Sequence, residues 1–433
     1  MAEARVVRPD RRQLRWDMID LEGLLPAEHR ARLVWSFVES LDLSPLYDQV
    51  RSREGEAGRP AADPAVLLSL WLYATIEGVG SARELERLAQ SDIAYRWLAG
   101  GVPLNYHGLA DFRVDSVEVL DRLLTQSVTA LIAEGLISLD EIAVDGTKVR
   151  ANASRKSFRT GEKLIKIEAA VVERLASLKQ ALSSDPGAST RRRQAARERA
   201  ARDVHERAGR ARAALERLEA ERKSRTARHA KDEARKKGPK ASTTDPEARC
   251  MRFPDGAIRP AYNAQIAAAP KEGVIVSIEL TDRRNDAGLA GPMVDDIARR
   301  DGRTPDRLLV DTSYATAKDI VALAAHIAGP VSVYTPPPRE RGAPIKPASL
   351  ARRRRKREKE PACLKQWRER MASEAGQAVY ALRQRIERIN ADRKNHGFGF
   401  LPVRGLIKAK AHALWHALAN NLMAARRLRI ETP

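Results

Sequence analysis

The sequence predicts an α/β protein: an all-helical N-terminal segment, then a mixed five-stranded sheet with flanking helices, interrupted by a basic helical insertion. Three observations predict it. The first ~135 residues carry apolar positions at helical spacing. From residue 139 onward, short Val- and Ile-rich runs alternate with helical stretches. Between them, residues 161–240 hold 23 Lys and Arg against 12 Asp and Glu, and no Phe, Trp or Tyr. The expected organisation is a helical N-terminal domain (1–135), a first part of the α/β core (136–160), the insertion (161–240), and the remainder of the core with closing helices (241–433).

In order, "PAEHRARLVWSFVESL" (26–41) has helical periodicity. Asp63-Pro64 reads as a helix start, with Asp as N-cap and Pro at the first helical position. The apolar run "AVLLSLWLYATI" (65–76) follows, then the turn "EGVGS". Ser81 and Glu84 have the spacing of a capping box. Helix, Gly-containing turn, helix is the outline of a helix-turn-helix unit, equally compatible with DNA reading and with plain helical packing. "GLADFRVDSVEVLDRLLTQSVTALIAEGLI" reads as one long amphipathic helix.

Strands are expected at "LDEIAVDGTKVRANA" (139–153), at two runs around the turn "PKEG" (259–281), at "DRLLVDTSY" (306–314) and at "GPVSVYT" (329–335). A helix follows the fourth, over "ATAKDIVALAAHI". The insertion reads as a basic helical hairpin or coiled coil turning at "SSDPGAST", because its helix formers are strong and its apolar positions sparse. It is either a solvated appendage or a phosphate-contacting surface. A second basic stretch, "ARRRRKREKE" within 339–360, reads as a mobile loop.

Hydrophobic residues make up 43% of the 433, which excludes a disordered chain. The formal net charge of +21 points to a polyanionic partner, nucleic acid before an anionic membrane surface. The charged N-terminus has no secretory pattern, and residues 65–76 are too few to span a bilayer. Cys250 and Cys363 match no metal-ligand spacing and read as free thiols in a reducing compartment.

Asp145 follows apolar residues in the first strand, and Asp311 ends the run Leu308-Leu309-Val310. A carboxylate at the end of a buried strand needs a partner or a metal. "VYALRQRIERINADRK" (379–394) contains no Gly or Pro and reads as one helix. With Tyr380 at zero and about 100° per residue, Arg383 falls near −60°, Glu387 near −20° and Lys394 near −40°. Glu387 thus shares one face with an aromatic and two cations. That face is either a surface ion-pair ladder or a phosphate clamp beside a metal-reaching carboxylate. Carboxylates converging in a basic protein suit Mg²⁺, and two ions about 3.5–4 Å apart suit phosphodiester chemistry.

Taken together, these segments resemble the DDE transposases of bacterial insertion sequences, in the 1182-type group with a Y-(2)-R-(3)-E-(6)-K signature. Tyr380, Arg383, Glu387 and Lys394 fit that spacing. "VDGTKVRANASRKSF" and "VDTSYATAKDI" resemble the two aspartate segments, and "RPAYNAQIA" with "NDAGL" the strands between. The likeness runs over residues 20–425. Two segments depart: "ERINA" stands where the family has "EPVFG", and Ser313 where a "DxGY" segment has Gly.

The resemblance implies an RNase H-like core with Asp145, Asp311 and Glu387 binding Mg²⁺ or Mn²⁺ as two ions. Tyr380, Arg383 and Lys394 would contact transposon-end DNA, and Lys148 and Asn152 would lie near the first aspartate. It implies a bacterial, cytoplasmic, nucleoid-associated protein acting on double-stranded DNA, both transposon ends and target, as a homodimer on paired ends. Two alternatives stay open: an inactive or domesticated DNA-binding derivative, and a nuclease of the same core that cuts without joining.

Overall fold

A computed structural model of the chain describes residues 20–50, 52, 60–184, 188–226, 238–337 and 358–431. The second basic stretch lies almost wholly outside the described residues, as does part of the expected hairpin turn. Elements below are numbered in chain order.

Among the described residues, seven α-helices lead: α1 (Arg30–Glu39), α2 (Ser44–Tyr47), α3 (Pro64–Ile76), α4 (Ala82–Ser91), α5 (Ile93–Ala99), α6 (Tyr106–Asp115) and α7 (Val117–Ala133). The start of α3 is as the sequence reads: Asp63 accepts a hydrogen bond from the amide of Ala65 at 2.8 Å, and Pro64 needs no donor. This helix is apolar on every side, and it is buried on nearly every side.

Two expectations need correction here. The capping box of α4 is only half made. Ser81 accepts from the Glu84 amide at 3.4 Å, but the Glu84 side chain turns to Arg87, whose Nε donates at 3.0 Å. The long helix expected after residue 107 is broken at Ser116, where φ is −105° and ψ is 34°. The break lets Leu109, Arg113 and Val114 on one half, and Val119, Leu120, Leu123 and Leu124 on the other, bury separate faces.

The sheet has six strands, not five: β1 (Glu141–Arg150), β4 (Arg249–Arg252), β5 (Ile258–Ala269), β6 (Val274–Thr281), β7 (Arg307–Val310) and β8 (Ser332–Tyr334). Sequence reading missed β4, a four-residue strand of Arg, Cys, Met and Arg without an alternating pattern. The order is β4-β5-β1-β7-β8, with β6 also paired to β5. β1, β5 and β6 run antiparallel in succession, while β7 and β8 run parallel to β1. Parallel strands need crossovers, supplied by α10 (Ala290–Asp301) before β7 and α11 (Ala317–Ala324) before β8.

The closing helix α15 (Leu406–Glu431) packs on β6 and on α3, α6 and α7, so one apolar core runs from the N-terminal helices into the sheet. Asn421 completes this contact. Its side chain accepts from the Ile275 amide at 2.8 Å and donates to the Ile275 carbonyl at 2.7 Å, covering backbone groups on the β6 edge. Trp415 donates to the Arg113 carbonyl at 3.0 Å, joining α15 to α6.

The insertion consists of α8 (Gly161–Ser184) and α9 (Ala188–Thr226), packed on each other through a small cluster of Leu164, Ala211 and Leu215 with Ala241. At its base the chain closes through β2 (Phe158–Arg159) and β3 (Ala241–Ser242). Among the described residues no helix is long and apolar enough to cross a membrane.

Candidate active site

Parallel pairing of β1 with β7 is in register at Val144 and Val310. The next residue in each segment is an aspartate: Asp145 stays in β1, paired with Ile266 of β5, and Asp311 lies just past the end of β7. Both follow fully buried apolar residues and are themselves only partly exposed.

Among the described residues, β8 is followed by α12 (Ala362–Ala372), α13 (Glu374–Ala381) and α14 (Gln384–Arg393), ahead of α15. The single helix expected over 379–394 is therefore two. Between them the backbone tightens to i→i+3 bonds, from Arg383 to the Tyr380 carbonyl at 3.0 Å and from Ile386 to the Arg383 carbonyl at 3.1 Å. Lys394 then opens a π-type turn running to Phe398. No Gly or Pro marks the joint. The buried face of α14 (Ile386, Ile389, Asn390 and Arg393) sets its orientation, and Arg383 sits at the joint.

Arg383 connects the carboxylates. Its Nη2 donates to Asp145 Oδ1 at 3.2 Å, and its Nη1 to Glu387 Oε1 at 3.2 Å. Asn390, one turn beyond Glu387, donates to the other Asp145 oxygen at 2.8 Å. Burial pushes the Asp145 pKa up; Arg383 opposes this, and Asp286 and Glu387 add to it. The Arg383 pKa is raised although burial works against it, because Asp145, Tyr380, Asp311 and Glu387 all surround its charge. Tyr380 is likewise raised, by burial first, with Asp311, Glu387 and Asp145 contributing. Burial lowers the Lys394 pKa against the pull of Asp145. Asp311 accepts from the Thr312 amide at 2.7 Å and from the Ser313 hydroxyl at 3.4 Å.

The structure thus gathers Asp145, Asp311, Glu387, Tyr380 and Arg383, with Lys394 close enough to feel Asp145. A cleft of about 970 Å³ runs along this helical joint, lined by Tyr380, Arg383, Arg385, Glu387 and Arg388 among others. Lys148 and Asn152 are placed elsewhere. Alternation along β1 puts Lys148 on the face opposite Asp145, where its Nζ donates to the Arg252 carbonyl at 2.8 Å. Asn152 donates to the Pro402 carbonyl at 3.2 Å.

Sequence reading missed Asn390, although its i+3 spacing from Glu387 places it on the same helix face. It also missed that Arg383, expected to pair with Glu387, reaches Asp145 as well. The donor set is chemically right for a hard divalent ion: carboxylate oxygens from Asp145, Asp311 and Glu387. As the side chains stand, Arg383 lies between two of them. Among the described residues no three His, Cys, Asp or Glu side chains are close enough to hold an ion.

A mixed sheet of this order, with one acid midway along β1, a second just past the end of the parallel β7 and a third on a following helix, is consistent with the RNase H-like class. Residues 253–423 match the family described as Transposase DDE domain, and residues 19–115 match Transposase domain (DUF772). Over these two segments the chain is similar to transposase families, the second of DDE type. No curated protein and no solved structure matches it.

Proposed function

We propose that this protein is the transposase of an insertion sequence of the 1182-type, Y-R-E-K group. It binds terminal inverted repeats, cleaves a strand at the element end and joins the exposed 3′-OH to target DNA. The observation that supports this reading is that Arg383 bridges Asp145 and Glu387, while Asp311 follows the strand paired in register with that of Asp145. Mg²⁺ or Mn²⁺ held by those three carboxylates would activate an attacking oxygen and stabilise the leaving one. Asp145 and Asp311 supply fixed ligands from adjacent strands, and Asn390 orients Asp145. Glu387, the most exposed of the three, closes the set from α14. Tyr380, Arg383 and Lys394 line the approach and contact the phosphates of the end DNA.

The basic hairpin and the N-terminal helices add sequence-independent affinity through phosphate neutralisation. A homodimer on paired ends, in a bacterial cytoplasm, completes the proposal. The test is a cleavage and strand-transfer assay on end-containing DNA with Asp145→Asn, Asp311→Asn and Glu387→Gln. Each variant is expected to lose Mg²⁺-dependent cleavage by at least about 10³-fold while binding DNA as the parent does. Full activity in Asp311→Asn would overturn the assignment. Cleavage without joining of pre-cut ends would make the protein a nuclease.

A further inference from the structure

Behind Asp145, on the opposite face of β1, lies a polar network that the proposed chemistry does not use. Register pairs Gly146 with Gln265 and Lys148 with Asn263. Gln265 and Asn263 therefore share the Gly146 face. Asp286, in the loop after β6, accepts at one oxygen from both amides: Asn263 Nδ2 at 2.7 Å and Gln265 Nε2 at 2.9 Å. The other end of Gln265 accepts from the Tyr314 hydroxyl at 2.6 Å. Asn263, Gln265 and Tyr314 are 1–2% exposed. Tyr314 in turn belongs to the turn that carries Asp311: its amide donates to the Asp311 carbonyl at 3.0 Å, and its carbonyl accepts from Gly288 at 3.2 Å. The network also sits hard against the strand. A Cβ at Gly146 would stand 2.3 Å from the Asp286 carboxylate and 2.8 Å from the Gln265 amide nitrogen.

We infer that Asp286 is a positioning residue that, through Gln265 and Tyr314, fixes the turn bearing Asp311 against the strand bearing Asp145. The polarity of the relay follows from its chemistry. An ionised carboxylate only accepts, so Asp286 turns the Gln265 NH₂ toward itself and leaves the amide oxygen for the Tyr314 hydroxyl. Because Asn263, Gln265 and Tyr314 are buried, losing a partner leaves the next group unsatisfied, and the relay acts as a unit. The ligand spacing set by β1 and β7 is then held on both sides: by Arg383 and Asn390 in front of the sheet, and by the Asp286 relay behind it.

This inference rests on the assignment of Asp145 and Asp311 as the metal-holding pair, and the experiment separates the two. End-DNA cleavage is measured as a function of Mg²⁺ and of Mn²⁺ concentration for Asp286→Ala, Asp286→Asn, Tyr314→Phe and the Asp286→Ala/Tyr314→Phe double variant. Binding of the same DNA without metal and the thermal midpoint are recorded alongside. Asp286→Ala and Tyr314→Phe are expected to lower cleavage or raise the half-saturating metal concentration by about 10–100-fold, with DNA affinity unchanged. Asp286→Asn, which can still accept from both amides, should restore most of the rate. The double variant should be no worse than Asp286→Ala alone.

Wild-type metal dependence in Asp286→Ala and Tyr314→Phe, or additive losses in the double variant, would overturn the relay. So would failure of Asp286→Asn to recover the rate. If Asp311→Asn were itself fully active, the failure would lie in the site assignment instead.

Discussion

Arg383 reaches Asp145 across the sheet end, Nη2 to Oδ1 at 3.2 Å, while its other terminal nitrogen holds Glu387. One guanidinium therefore balances two carboxylates. Replacing it by alanine removes the main positive charge beside Asp145, Glu387 and Asp286, which is costly in a partly buried site. Arg383→Ala is expected to lower the thermal midpoint without metal and to enlarge the upward shift produced by Mn²⁺. An unchanged Mn²⁺ response would show that Arg383 and the ion do not compete for the same carboxylates. Measurement by thermal shift needs no DNA and no turnover.

Arg300 joins the N-terminal helices to the core. Its side chain has no solvent exposure and donates to Asp296 at 2.7 Å, the Asp121 carbonyl at 3.1 Å and the Thr125 hydroxyl at 3.2 Å, and it also pairs with the Asp121 carboxylate. Removing one partner of such a buried set strands the others. Arg300→Ala should cost about 3–5 kcal/mol in urea unfolding. A loss below about 1 kcal/mol would mean that Asp121 and Asp296 find water or new partners.

Asp301 ends α10, and both its carboxylate oxygens are buried without a hydrogen-bond partner. Burial raises its pKa to about 6, against the opposing charges of Arg300 and Arg303 and with Asp296 adding to the rise. The carbonyl end of a helix disfavours a negative charge further. A folded pKa above the unfolded one gives stability that is complete below the unfolded value near 3.8 and is lost as pH rises through about 6. Asp301→Asn removes the titration. It should therefore stabilise the protein at pH 8 by an amount of order 2 kcal/mol, and the advantage should shrink toward pH 4. A difference that does not vary with pH would sink this account.

Much of the site was legible because its parts obey local rules. Buried-strand acids stand out wherever an apolar run ends in Asp, and both Asp145 and Asp311 do. The Arg383–Glu387 pair was visible as an i,i+4 spacing. The joint at residues 382–386 was not, since no breaker residue causes it; the burial of Ile386 and Ile389 against the rest of the fold does. Ser116 broke a continuous helical pattern for the same kind of reason. β4 lacked any pattern because Arg249 and Arg252 serve other ends there, Arg249 by pairing with Asp282 at 2.9 Å. Asn390 was hidden in plain view. It belongs to the "ERINA" segment that departs from the resembling family, and tertiary structure alone shows its side chain meeting Asp145.

The hairpin of α8 and α9 leaves the sheet and returns to it at one place. Thr243 donates to the Ser157 carbonyl at 3.1 Å, and the hydroxyls of Ser157 and Ser242 are 2.7 Å apart. Beyond that seam, α9 reaches back to the sheet through Arg217 to Asp282 and Glu221 to Arg249, surface ion pairs that do not set the spacing of the strands. Closing a longer loop costs only logarithmically more entropy, so its length is nearly free to vary. The long stretch of sequence separating Asp145 from Asp311 thus carries no information about their distance in space. A chain of quite different length could present the same pair, provided the seam at 157–158 and 241–243 stays shut.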